Sequence, residues 1–116
     1  MQLEIQIYKY LFDILQAAEK IQSFVKDLDE SDYYLSDLVQ SAVERQFEII
    51  GEAANKLLKI APEYGQNIPE LKSTVAFRNV LIHGYASVDP KLVWGVISRN
   101  LDGLIDNVRH ALPRDS

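Results

Sequence analysis

The sequence predicts an all-α protein, an antiparallel bundle of four main helices with one short extra helical turn. Three observations carry that expectation. Apolar residues recur at steps of three and four over long stretches, no run alternates with period two, and Pro, Gly and capping residues fall between the periodic stretches. At 116 residues the chain has the size of a single domain, 1–116, built on one core.

The first helix is a narrow apolar seam of Leu3, Ile7, Leu11, Ile14, Ala18, Ile21, Val25 and Leu28. Such a seam suits antiparallel packing in a bundle or against a second copy. Asp29 to Asp37 is acidic and polar, a connection with room for at most one short helical turn. A second helix follows from about Ser36, a good N-cap, to about Ala61, with a broad apolar face that includes Val43, Phe47, Ile50 and Leu57. Pro62 and Gly65 stop it. Gly51 lies inside that helix, where glycine costs about 1 kcal/mol relative to alanine. The usual structural reason is close approach of another backbone.

Pro69 stands near the start of a third helix, with Asn67 as a capping candidate. It runs to about His83, where Gly84 can take the left-handed conformation that ends many helices. Asp89 followed by Pro90 starts a fourth helix, with a core face of Leu92, Val93, Val96, Ile97, Leu101, Leu104, Ile105 and Val108. The tail after Pro113 is expected to fray.

Composition excludes several kinds of chemistry. Without cysteine there is no disulfide, no thiolate metal site and no cysteine nucleophile. Charges recur too often for any window to span a bilayer, and the first residues do not read as a leader, so a soluble, cytoplasmic protein is expected. A net charge of −5 argues against a general nucleic-acid coat. The charge is uneven, however. Residues 1–70 hold 6 basic and 13 acidic side chains, whereas 71–116 hold 6 basic and 4 acidic ones. Either the segregation is incidental, or the second half faces an anion.

One segment concentrates reactive groups: Arg78-Asn79-Val80-Leu81-Ile82-His83-Gly84-Tyr85. Cleaving RNA needs a base for the 2′-hydroxyl proton, an acid for the leaving 5′-oxygen and positive charge for the phosphorane. Histidine titrates near neutrality and arginine presents a permanently charged planar fork. Each also has an ordinary use, as a surface ion pair, a helix-end cap or, for Tyr85, a core phenol. On an ideal helix Arg78 and His83 stand about 140° apart, while Asn79 and His83 share a face. A working site therefore needs the helix to loosen near Gly84, the Arg78 side chain to bend round, or a second subunit to contribute. The second subunit is the expected solution, since two such segments in a symmetric dimer double the local positive charge.

The Arg-x4-His-x-Tyr pattern resembles the motif of HEPN domains, and specifically of HepT-like toxins. The resemblance covers nearly the whole chain. It extends through Ala42 to Ala54 with its Ile50-Gly51-Glu52-Ala53, through Ile68-Pro69, and through Val93-Trp94. Glu70-Leu71 departs from relatives that often carry an aromatic residue there, which concerns packing rather than the site. The resemblance implies a dimeric helical bundle acting as the RNA endonuclease toxin of a two-gene type VII toxin–antitoxin module. It implies cleavage of mRNA or tRNA with no cofactor or metal, leaving a 2′,3′-cyclic phosphate. Arg78 and His83 would be the catalytic pair, Asn79 a supporting polar group, and Tyr85 a residue adenylylated from ATP by an MntA-like nucleotidyltransferase antitoxin. A non-catalytic helical module that serves as substrate of such a nucleotidyltransferase is the alternative.

Arg45, Glu48 and Glu52 recur at three- and four-residue spacing along the second helix. They form either a solvated ion-pair ladder or the lining of a dimer cleft. His110, in the last turn of the last helix, reads as a favourable partner of the helix dipole. It lies far from His83 in sequence, and no metal site is expected from spacing.

Overall fold

The computed structural model describes residues 2–84 and 88–113. Its elements run in the order α1 (Gln2–Val25), α2 (Glu30–Tyr34), α3 (Asp37–Ile60), α4 (Tyr64–Asn67), α5 (Glu70–His83) and α6 (Pro90–Val96). A π turn (Ile97–Leu101) then joins α6 to α7 (Asp102–Ala111) in one continuous helix. The four long helical segments pack antiparallel: α1 on α3, α3 on α5, with α7 closing against α1 and α5. Their shared core includes Leu11, Ile14 and Ile21 of α1, Phe47, Ile50 and Leu57 of α3, Leu71 of α5, and Leu104 and Ile105 of α7. The expected all-α antiparallel bundle is the observed one.

Local chemistry accounts for the helix starts. Ser36 accepts from the Val39 N–H at 3.1 Å and Asp89 from the Lys91 N–H at 2.9 Å, the two caps expected. The short turn α2 has a full capping box. Asp29 accepts from the Asp32 N–H while the Asp32 carboxylate accepts from the Asp29 N–H. Asn67 does not cap α5; Pro69 precedes that helix with no side-chain cap, and Asn67 ends the small helix α4. Gly84 is not left-handed either. Its φ is −84° and ψ is 87°, so α5 ends without the left-handed turn.

Three expected core residues lie outside the core, Leu28 because α1 ends at Val25 before reaching it. Leu3 is exposed because it sits in the first turn of α1, before the seam meets its neighbours at Ile7. Leu92 is exposed because Val93 and Trp94 point inward on α6, leaving Leu92 on the outer face.

The fourth helix is continuous but not regular. Val93, Ile97, Leu101 and Ile105 are spaced by four, and each such step turns the apolar direction by about 40° in an α-helix. Over the three steps that drift would carry Ile105 well off the face that Val93 uses. The π turn has wider i→i+5 geometry and takes back most of the drift, so Val93, Leu101 and Ile105 are all buried.

α2 is pinned by Tyr33, which is fully buried with its ring 5.4 Å from that of Trp94. Its hydroxyl is buried with no hydrogen-bond partner among the described residues, and burial together with the nearby Glu44 charge pushes the phenol far above its usual pKa. An unsatisfied buried hydroxyl costs stability, so Tyr33→Phe is expected to stabilise the fold by up to about 1 kcal/mol in a denaturant melt. A loss of stability would mean that the hydroxyl has a partner after all.

Candidate active site

The site begins at the crossing of α3 and α5. The seam of α5 runs Leu71, Thr74, Arg78, Leu81, at steps of three, four and three. Leu71, Thr74 and Leu81 are buried, with the Thr74 hydroxyl donating to the Leu71 carbonyl at 2.8 Å. Arg78 thus stands in a position that a core residue would normally take. Gly51 makes room for it. A Cβ built on Gly51 would lie 2.2 Å from the Arg78 Cβ and 2.8 Å from the Thr74 carbonyl oxygen. The unexpected glycine inside α3 is therefore the seat of the arginine stem, a close approach of the kind its position suggested. Phe47 and Phe77 lock the same crossing edge to face, with ring centroids 5.2 Å apart.

From that seat the half-buried Arg78 side chain reaches round α5, and its Nη1 donates to Asn79 Oδ1 at 3.2 Å. Asn79 is exposed, and so is His83 one turn later on the same face. The Arg78 side chain is bent towards Asn79 within the single chain. α5 remains regular through His83, so the helix does not loosen. Arg78 and Asn79 are brought together, and Asn79 and His83 share a face. No hydrogen bond joins Arg78 to His83 among the described residues. Tyr85 lies outside the described residues.

Along the exposed side of α3, Arg45 and Glu48 pair with each other at 3.2 Å and Glu52 pairs with Lys56 at 3.4 Å. Such exposed pairs add little stability. Their effect is electrostatic: Glu48 and Glu52 are each paired with a cation of α3, and Arg78 has no carboxylate partner among the described residues. His110 donates from Nδ1 to the Asp106 carbonyl at 2.7 Å, a helix-end role as expected.

The sequence reading passed over Glu44. Glu44, Glu48 and Gly51 are spaced by four and three, which places the two carboxylates along the strip of α3 that continues from the Arg78 seat. That spacing was a visible signal. The Glu44 carboxyl is held above the usual carboxylate range, by burial first and by the Glu48 charge second. A raised folded-state pKa means that the folded protein keeps this proton where the unfolded chain has lost it. Stability is therefore complete below the ordinary value and falls as pH rises through the folded one. Glu44→Gln is expected to stabilise the protein at pH 7, by less than about 1 kcal/mol because solvent reaches the group, and not at pH 3. Denaturant melts at the two pH values check this.

The fold and this helix end define an all-helical domain that brings an arginine without an ion-pair partner among the described residues, an amide and an imidazole to one helix end. A family model described as "Ribonuclease HepT-like" matches residues 14–111, and the chain belongs to that HepT-like family. It is 35% identical to "Putative RNase MJ1380" of Methanocaldococcus jannaschii, over 79% of this chain and 84% of that protein. It is 38% identical to "Putative RNase MJ0125" of the same organism, over 76% of this chain and 75% of that one. It is 32% identical to "Probable ribonuclease HepT" of Thermococcus cleftensis, over 82% and 86% respectively. No solved structure gives a significant match. Among the described residues, no helix is long and apolar enough to cross a membrane.

Proposed function

We propose that this chain is the toxin of a toxin–antitoxin module and acts as an RNA endonuclease that needs no metal. The observation that carries the reading is the Arg78 fork. It has no carboxylate partner among the described residues, and it is bent to Asn79 on the face that His83 occupies, in a chain of the HepT-like ribonuclease family. In the reaction, the 2′-oxygen of the RNA attacks the adjacent phosphorus as its proton passes to a base. The bond from phosphorus to the 5′-oxygen breaks, and that oxygen takes a proton from an acid. The products are a 2′,3′-cyclic phosphate and a 5′-hydroxyl. His83 performs proton transfer, and Arg78 holds the phosphate oxygens through its planar fork, positioned by Asn79.

A second copy of the chain completes the site and supplies the second imidazole. Exposed apolar side chains around this end of the bundle favour it. Val80 and Ile82 flank His83 on α5, and Leu35 and Leu38 at the corner of α2 and α3 are 85% and 81% exposed. The expected partner is a nucleotidyltransferase antitoxin that uses ATP to adenylylate Tyr85. An added nucleotide brings bulk and negative charge two residues from His83, which repels RNA and occupies Arg78.

The test is cleavage of end-labelled cellular RNA in EDTA by the purified protein, with Arg78→Ala and His83→Ala alongside. Fragments ending in cyclic phosphate, lost in both variants, support the reading. Equal behaviour of the three folded proteins would overturn it in favour of a non-catalytic module that serves as the nucleotidyltransferase's substrate.

A further inference from the structure

The outer face of α6 carries a second set of cations. Lys91, Gly95 and Arg99 are four residues apart and follow one line along the helix, and both cations are exposed. The Arg99 guanidinium rests against Gly95. A Cβ there would lie 2.9 Å from Nη2, 3.0 Å from Nη1 and 3.2 Å from Cζ, so the plane of the fork lies across the glycine. Gly95 thus gives the fork a flat bed on the helix surface. Neither cation makes an ion pair with a described residue. The carboxylates closest in sequence are committed elsewhere: Asp89 caps α6 and Asp102 accepts from Gln22 at 3.2 Å.

This face belongs to the same end of the bundle as His83. α5 runs antiparallel to α3, so its last turn is level with the first half of α3. α2 directly precedes α3, and α2 packs on α6 through Tyr33 and Trp94. An excess of basic over acidic residues in 71–116 fits the same direction of field.

We infer that the Lys91–Gly95–Arg99 face binds the phosphodiester backbone of the RNA strand beyond the cleaved linkage, an inference that rests on the ribonuclease reading. Lys91 acts as a point charge and Arg99 as a fork that can grip two phosphate oxygens. Eight residues separate them, about 12 Å along the helix, enough to follow more than one phosphate of a strand. The strand then runs from the α6 face towards Arg78.

The experiment measures binding of a fluorescein-labelled 2′-O-methyl RNA, which lacks the attacking hydroxyl, by anisotropy over a range of salt. Lys91→Ala with Arg99→Ala is expected to weaken binding and to flatten the log–log salt slope by about 0.7 per cation removed. Gly95→Ala keeps the charge but lifts the fork, and is expected to weaken binding less. Lys20→Ala with Lys26→Ala removes the same charge from α1 and the turn after it and is expected to leave the slope unchanged. Equal slopes for wild type and the α6 double variant would overturn the inference, as would an equal loss in the α1 control. So would intact RNA binding with lost capture of an acidic protein, which would give the face to a protein partner. Cleavage by the wild type in EDTA, run on the same samples, separates these outcomes from failure of the ribonuclease reading, in which the wild type neither cuts nor binds.

Discussion

Alanine at position 51 is expected to unfold the protein at markedly lower temperature and to disable whatever remains folded. The added methyl group would overlap the Arg78 Cβ at 2.2 Å and the Thr74 carbonyl oxygen at 2.8 Å. Both are atoms of, or next to, the α5 backbone, so no side-chain rotation relieves the clash and the helix itself must move. Alanine gains about 1 kcal/mol of helix propensity over glycine. Overpacking of this kind costs about 3 kcal/mol, which leaves a net loss of about 2. For a chain of this size that lowers the melting temperature by roughly 8 °C, readable by calorimetry. The second effect is on function. Moving the stem of Arg78 by about 1 Å displaces its fork, and a misplacement of that size can cost about 100-fold in rate. A variant that melts like wild type would show that α3 and α5 are not held as close as described.

The largest effect on activity is expected from His83→Ala. The side chain is exposed at the end of α5, and its removal leaves the core untouched. Stability should stay within about 0.5 kcal/mol of wild type. Loss of a general acid–base group typically costs about 10²- to 10⁴-fold in rate, and the loss should fall on kcat with little change in affinity for uncleavable RNA. Arg78→Ala should behave differently. Its stem fills the seat over Gly51 and its fork contacts phosphate, so both stability and RNA affinity should fall. Arg78→Lys restores the charge without the planar fork and should recover affinity more than rate. Single-turnover kinetics with the three variants distinguish these expectations. A His83→Ala protein that cleaves at the wild-type rate would remove histidine from the mechanism.

The fold was legible because its determinants are local and periodic. Ser36 and Asp89 cap their helices as side chains of their type do, and the seam from Ile7 to Ile21 needs only the helical repeat to place it. What stayed hidden depends on contacts between segments. Asn67 looked like a cap, but the small helix α4 absorbed it. Gly84 looked like a left-handed terminus, but α5 ends without the left-handed turn. Leu92 belonged to an apolar pattern wide enough to be read one position too far, because a broad face does not say where its edge lies. At the site, residue types and spacing named Arg78, Asn79 and His83. They could not say that Arg78 sits in the α5 seam, because only the partner helix shows that a glycine lies opposite. The same wheel that separated Arg78 from His83 by about 140° treated side chains as points, whereas the guanidinium bends to the neighbouring Asn79.

The π turn at Ile97–Leu101 also says something about the length of the chain. It accommodates one residue more than the bundle requires at that height. Without that residue, an ordinary α-helix would carry the inward directions of Val93 and Ile105 to nearly the same side. The turn is therefore an insertion absorbed where it stands. Deleting one residue inside it leaves both halves of the last helix in register, whereas a deletion elsewhere in α6 or α7 rotates one half by about 100° against the other.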